Sequence, residues 1–186
     1  VYPGVTEEVC LPVLKKSTSL VYNKDFFLGY CPERINPGDK KNNINNISKV
    51  ISASNSESLK KIHFIYSKII KAKIYKAKNI KVAEAAKIIE NTQRDINIAL
   101  MNELSTIFTK ININILDVLK AAETKWNFNK YYPGLVGGHC IGVDPYYLAY
   151  LSSKINVPTS LITAGRKIND DYSKFILKKI KKISKK

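Results

Sequence analysis

From Val82 to about Lys110 the chain carries neither glycine nor proline, and apolar residues return at helical spacing: Ala85, Ile89, Ile96, Leu100, Leu104, Ile107, Phe108 and Ile111. The pattern predicts one uninterrupted α-helix, about 40 Å long at ~1.5 Å per residue. That is more than a small domain needs, and helices of this length usually pack on several partners or on a second subunit. The other elements must arrange themselves around this long core helix. With 186 residues the chain can bury a real core and makes one domain or a little more.

Upstream, the sequence reads as α/β. Val1-Tyr2-Pro3-Gly4-Val5 is a loop, and Thr6, followed by Glu7 and Glu8, starts a helix with acids at its positive end. That helix is expected to turn Val9, Cys10, Val13 and Leu14 inward and to bend near Pro12. Phe26 to Cys31 is an apolar run suited to a buried strand, ended by Pro32. Ile35 to Asn46, rich in Asn, Gly, Pro and Lys, reads as an exposed loop. Val50 to Ala53 and Ile74 to Lys76 read as strands, and Ser54 with Glu57 forms a capping box for a helix to about Ala72. Downstream, Asn114 with Asp117 starts a helix to about Lys125. Asp144-Pro145 suits the start of another, with Asp as N-cap, and a last helix runs from Thr159 to the end. The order predicts the end of an α/β domain running into a helical one.

The formal net charge of +16 raises the question of nucleic acid. The excess is almost all lysine, spread along the chain beside abundant Asn and Ile, which fits drift under an AT-rich coding bias. The one cluster is the tail from Lys178 to Lys186, where Ile176, Leu177, Ile180 and Ile183 fall at helical spacing, so the lysines line a solvated helix face. Basic residues do not interleave with aromatics as in single-strand binders, which argues against a nucleic-acid partner. No apolar run approaches the ~20 residues of a membrane span, and no signal peptide opens the chain. Cys10, Cys31 and Cys140 are odd in number and widely spaced, which argues against a disulfide framework and for a reduced, cytoplasmic setting. His63 and His139 are the only histidines, too few and scattered for a zinc site, so no metal is expected.

Chemistry concentrates in three places. In Pro133-Gly134-Leu135-Val136-Gly137-Gly138-His139-Cys140-Ile141-Gly142-Val143-Asp144-Pro145, a lone cysteine follows two adjacent glycines and a carboxylate lies four residues on. A thiol in such a loop is reachable, and a thiolate is a strong nucleophile; a packing cysteine before a capped helix fits the same residues. His139 is a tempting base, but neighbours in an extended loop point opposite ways, so it reads as structural. Lys87, Asn91 and Arg94, with Glu90 and Gln93 near them, share a helix stripe that is either a solvated face or a grip for an oxyanion. Cys31-Pro32-Glu33-Arg34-Ile35-Asn36-Pro37-Gly38 puts a charged pair at a strand's C-terminal end, where α/β folds bind ligands, although such junctions are often charged anyway.

Together, Gly29 to Asp39, Lys81 to Asp95 and Gly137 to Pro145 resemble the UDP-glucose/GDP-mannose dehydrogenase family. Within it the likeness is to the UDP-N-acetylhexosamine 6-dehydrogenases of surface-polysaccharide pathways, including the Vi-antigen type. It covers essentially the whole chain, in order. The resemblance implies residues 1–80 as the C-terminal part of an NAD-binding Rossmann-like domain, and 81–186 as the central helical domain for substrate binding and dimerisation. The Gly-x-Gly-x-x-Gly region and the C-terminal UDP-sugar domain are expected to lie outside this chain, since no such fingerprint follows a strand here.

The activity implied is a four-electron oxidation of the C6 alcohol of a UDP-sugar, with two NAD reduced. By motif position, Cys140 would attack the intermediate aldehyde and give a thioester. Lys87 and Asn91 would hold the C6 oxygen, Asp144 would position water or act as base, and Glu33 would assist thioester hydrolysis. Arg34, Ile35, Arg94, Asn127 and Gly137 would lie near the sugar and diphosphate. A homodimer through the long helix is also implied. UDP-glucose dehydrogenases carry a second glutamate four positions after the first, where this chain has Pro37, as the N-acetylhexosamine branch does. UDP-N-acetylmannosamine or UDP-glucose remain alternative substrates, and an inactive dimerisation module is the alternative for the polypeptide as it stands.

Overall fold

The computed structural model describes residues 1–35, 38, 39, 41–138 and 140–184. The expectations placed on Pro37, on His139 and on the last two tail lysines lie outside these residues. The chain divides into two compact units, Val1–Ile89 and Glu90–Lys186.

The first unit is built on a three-stranded sheet: β1 (Gly29–Tyr30), β2 (Lys49–Ala53) and β3 (Ile74–Lys76). The central strand β2 pairs antiparallel with β1, Gly29 opposite Ala53, and parallel with β3, Val50 opposite Tyr75. A parallel pair needs a crossover, and α2 (Ser56–Ser67) supplies it. The cap of α2 is Asn55, whose side chain accepts from the Ser58 N–H at 2.8 Å while the Ser58 hydroxyl accepts from the Asn55 N–H. The expected Ser54–Glu57 box is therefore one residue out of place: the Ser54 hydroxyl instead accepts the Leu28 N–H at 3.3 Å. The helix also stops before Ala72, because the N–H groups of Lys71 and Ala72 turn to the Asn45 carbonyl.

Only two residues of the expected Phe26 to Cys31 strand pair with β2. Gly29 explains how they get there. A Cβ at this position would lie 2.3 Å from Ile62 Cδ1 and 2.7 Å from the Ser52 carbonyl oxygen, so the edge strand passes where only glycine fits.

The N-terminal segment departs further from expectation. Val5–Cys10 is a π-helical stretch that leads into α1 (Leu11–Ser17), with Pro12 in its first turn. Val9, Cys10, Val13 and Leu14 face out and Leu11 is the buried residue. Wider π-turns shift the apolar register, and the segment is held by a polar anchor: the fully buried Glu84 accepts from the N–H of Gly4 (2.6 Å), the N–H of Thr6 (2.9 Å) and the Thr6 hydroxyl (2.6 Å). Val50, Ala77 and Ala83 form the apolar core of this unit, with Tyr30 packed against them.

The long helix α3 (Ile80–Lys110) is unbroken over 31 residues. Its residues from Glu90 onward, with α4 (Ile115–Ala122), α5 (Asp144–Lys154) and α6 (Ser160–Ile183), make the second unit. Asn114 caps α4 by accepting the Leu116 N–H at 3.0 Å. Asp144, expected as the N-cap of α5, is instead its first residue; Val143 takes the cap position without a side-chain bond.

Much of the apolar surface of α3 is left uncovered within this chain. Ile89, Leu100, Ile107 and Ile111 are exposed, at 47% to 57%. Asp95, Ala99, Asn102 and Ser105 are buried instead, as are Gly165, Arg166, Asn169 and Tyr172 of α6. Gly165 brings the helices close, since a Cβ there would sit 3.5 Å from Ile96 and 3.6 Å from Ala99. Each polar residue facing across finds a partner, as Tyr172 does when its hydroxyl donates to Ser105 Oγ at 3.1 Å. Paired polar groups are cheap to bury, whereas unpaired ones are not. Among the described residues, no helix is long and apolar enough to cross a membrane.

Candidate active site

The turn that carries Cys140 leads directly into α5. The Cys140 carbonyl accepts the N–H of Val143 (3.2 Å) and of Asp144 (2.9 Å), so the two residues are one backbone turn apart. Cys140 itself is exposed. Gly138, two residues earlier, has φ +88°, a conformation that glycine adopts without strain.

Asp144 is buried at 8% exposure in the first turn of α5, where a negative charge suits the helix dipole. It accepts from Asn91 Nδ2 of α3 at 2.5 Å. An amide carries two N–H donors, so Asn91 retains one for another acceptor. Lys87, half-buried, precedes Asn91 by one turn of the same helix, and Arg94 follows it on the surface. Asn127 and Gly137 are exposed, and no described hydrogen bond joins either, or Arg94, to the Asn91–Asp144 pair.

Glu33 lies in the loop after β1, in the first unit. Its Oε1 accepts the N–H groups of Arg34 (2.7 Å) and Ile35 (2.8 Å), and Oε2 faces Lys49 Nζ at 3.7 Å. Burial pushes the Glu33 carboxyl up, but the Ile35 and Arg34 amides and the Lys49 ammonium outweigh it and hold the group below the usual range. Lys49, buried in β2, also donates to the Pro32 carbonyl at 2.9 Å and lies 5.1 Å from the Tyr66 ring. Arg34 donates to the Ser48 carbonyl at 3.1 Å, which ties the loop to the residue before β2. Cys31, half-buried beside Tyr66 and Lys49, has its thiol pushed up by burial despite bonds that favour the thiolate.

Residues 81–171 match the sequence profile of the UDP-glucose/GDP-mannose dehydrogenase family, central domain. Residues 81–171 therefore form a central domain of that family. The chain is 57% identical to Protein CapL of Staphylococcus aureus over 95% of its own length and 42% of the relative's. It is 54% identical to a UDP-N-acetyl-D-glucosamine 6-dehydrogenase of Salmonella typhi, over 95% of this chain and 41% of that one. Among solved structures, the UDP-D-ManNAc dehydrogenase of Pyrococcus horikoshii superposes with a TM-score of 0.86 at 30% identity, over 99% of this chain and 44% of that one. The chain thus spans about two fifths of the length of the curated relatives it matches.

Two groups of residues near the site carry no motif. Lys49, the lysine that faces Glu33, sits in a strand that otherwise reads as apolar. Asp95, Asn102, Arg166 and Asn169 look like ordinary polar helix residues in sequence. The signal that could have marked the latter two is Gly165 in mid-helix, which betrays a close helix crossing beside them.

Proposed function

We propose that the protein containing this chain is an NAD-dependent nucleotide-sugar 6-dehydrogenase. It oxidises the C6 alcohol of a UDP-N-acetylhexosamine to the carboxylate, supplying a surface-polysaccharide precursor. The observation that carries this reading is the Asn91–Asp144 bond one backbone turn from Cys140, in a chain 54% identical to a protein named for that activity. Overall, one alcohol, one water and two NAD give one carboxylate, two NADH and three protons.

NAD would accept the hydrides, but the residues present do not form its cradle. β2 leads to the Asn55 cap without a glycine turn, and among the described residues the glycine-rich segment before α5 follows no strand. The steps below therefore concern only what this chain's own residues do.

Lys87 and Asn91, one turn apart on α3, hold the C6 oxygen and stabilise the charge that develops on it. Asn91 gives one amide hydrogen to Asp144 and the other to that oxygen. An aldehyde cannot lose a second hydride until its carbon becomes tetrahedral. Cys140 Sγ makes it so: the S–C bond forms, the carbonyl pair moves onto oxygen, and Asp144 or water takes the thiol proton. Were NAD held outside these residues to take the hydride, a thioester would remain; water would then add to its carbon with Glu33 accepting the water proton, and the C–S bond would break to return the Cys140 thiolate. Arg34, Ile35, Arg94, Asn127 and Gly137 contact sugar or diphosphate in this reading.

The exposed Ile89, Leu100, Ile107 and Ile111 favour a second role for α3, as the contact between two copies of the protein. Both readings can hold at once.

The test joins this chain to the remaining length of a curated relative. Cys140→Ala should abolish steady NADH production while the UDP-linked aldehyde is still reduced to alcohol by NADH. Lys87→Ala should impair both directions, by a factor of ~10² to 10³ for a lost oxyanion donor. Near-normal turnover in Cys140→Ala would make the thiol a packing residue.

A further inference from the structure

The glycine-rich loop is gripped from beneath. Asn102 of α3 is fully buried, and its side chain closes a reciprocal pair with the backbone of Gly134: Oδ1 accepts the Gly134 N–H at 2.8 Å, and Nδ2 donates to the Gly134 carbonyl at 3.0 Å. Nδ2 also donates to Asn169 Oδ1 at 2.8 Å. Asn169 in turn donates to the Asp95 carbonyl (2.9 Å) and carboxylate (2.7 Å), and Arg166 pairs with Asp95 at 2.6 Å. At the far end of the loop, the Arg166 guanidinium lies beside Gly142, about where a Cβ would be 4.0 Å from both terminal nitrogens. Cys140 sits between these two fixed points.

We propose that Asn102 is a positioning residue for Cys140: by fastening both backbone groups of Gly134 to α3, it restricts the loop to the conformers that present the thiol beside Asp144. The chemistry suits the task. A backbone N–H and C=O of one residue offer opposite polarities, and a primary amide is the side chain that meets both at once. An apolar residue here would hold the helices together and leave the loop free. The importance of this positioning rests on the reading of Cys140 as nucleophile; the clamp itself does not.

The test uses the 186-residue chain and the alkylation of its cysteines by iodoacetamide, followed by peptide mass spectrometry. Cys10 is exposed in the other unit and serves as a reference inside the same molecule. Asn102→Ala should raise the Cys140-to-Cys10 rate ratio at least about three-fold, since an unfastened loop adds open conformers. Asn102→Ser keeps one hydroxyl for one of the two groups and should give a smaller rise, and it serves where the alanine variant does not fold. Asn169→Ala breaks the same network away from Gly134 and should leave the ratio within the wild-type error. The proposal is overturned if both Asn102 variants leave the ratio unchanged, or if Asn169→Ala raises it as much. Failure of the nucleophile reading shows separately, as retained turnover of Cys140→Ala in the completed enzyme.

Discussion

Replacing Arg166 with methionine should cost far more than the loss of one surface ion pair, and the cost should depend on pH. Arg166 is 5% exposed and Asp95 is 0% exposed, so the variant leaves a carboxylate in the interior with no cation beside it. What remains is the Asn169 side chain at 2.7 Å on Oδ1; Oδ2 has no partner among the described residues even in the native protein. Breaking a buried pair in this way typically costs about 3–5 kcal/mol. The structure also sets a ceiling, because the variant can take a proton onto the carboxylate instead. Relative to an unfolded aspartate near ~3.9, that uptake costs about 1.36 kcal/mol per pH unit, or about 4 kcal/mol at pH 7 and about 1.5 at pH 5. The folded variant then binds one more proton than the unfolded chain, so its stability rises as pH falls. Urea unfolding followed by circular dichroism at both pH values should show a deficit of about 3–4 kcal/mol at pH 7 that shrinks by more than half at pH 5. The double variant Asp95→Asn/Arg166→Met removes both charges and should recover most of the loss at either pH. A deficit below about 1 kcal/mol at pH 7, the level of a surface pair, or one that does not change with pH, would refute the reasoning.

Three further outcomes are expected. Calorimetric titration of the 186-residue chain with NAD should show no binding in the micromolar range, because the sequence holds no Gly-x-Gly-x-x-Gly turn to cradle a pyrophosphate; micromolar binding would place a cofactor site within these residues. Light scattering should give a dimer at tens of micromolar, and Leu100→Asp or Ile107→Asp should yield folded monomers, because a carboxylate cannot be buried unpaired in the contact; a wild-type monomer would remove α3 as the contact. Glu33 should titrate below the free-glutamate value of about 4.3, so the stability it contributes is present above that value and is lost as pH falls through its lower folded midpoint. Lys49→Met should move that midpoint upward in a carbon-detected NMR titration, and an unmoved midpoint would mean the Arg34 and Ile35 amides act alone.

The elements that stood out in the sequence are those whose local signals agree with one another. The long helix has no breaker and a clear period, β2 centres on the β-branched Val50 and Ile51 and β3 on Ile74 and Tyr75, and Asn114 caps α4 where an Asn before an apolar helix should. The errors share a physical cause, which is that the deciding contact comes from far along the chain. Val9, Val13 and Leu14 have apolar spacing, but Glu84 holds Gly4 and Thr6 and sets another register. The polar face of α3 carries no signal of its own, because apolar periodicity is silent on Asp95 and Asn102, which meet Arg166 and Asn169. For the candidate site, the stripe of Lys87 and Asn91 follows from helical spacing alone. That Asn91 reaches Asp144, 53 residues on, does not.

The polar contact between α3 and α6 also restricts how this protein can vary over evolutionary time. Two helices joined by leucines can slide by a turn and still find oil against oil. Here a slip of about 5.4 Å would leave Asp95, Asn102, Arg166 and Asn169 each facing the wrong partner, so the pairing works as a key with one position. Single substitutions along it are penalised and paired ones must arrive together. A mutational bias toward lysine, asparagine and isoleucine is therefore free to rewrite the solvated faces, as the composition of this chain suggests it has, while these few side chains hold the two helices in register.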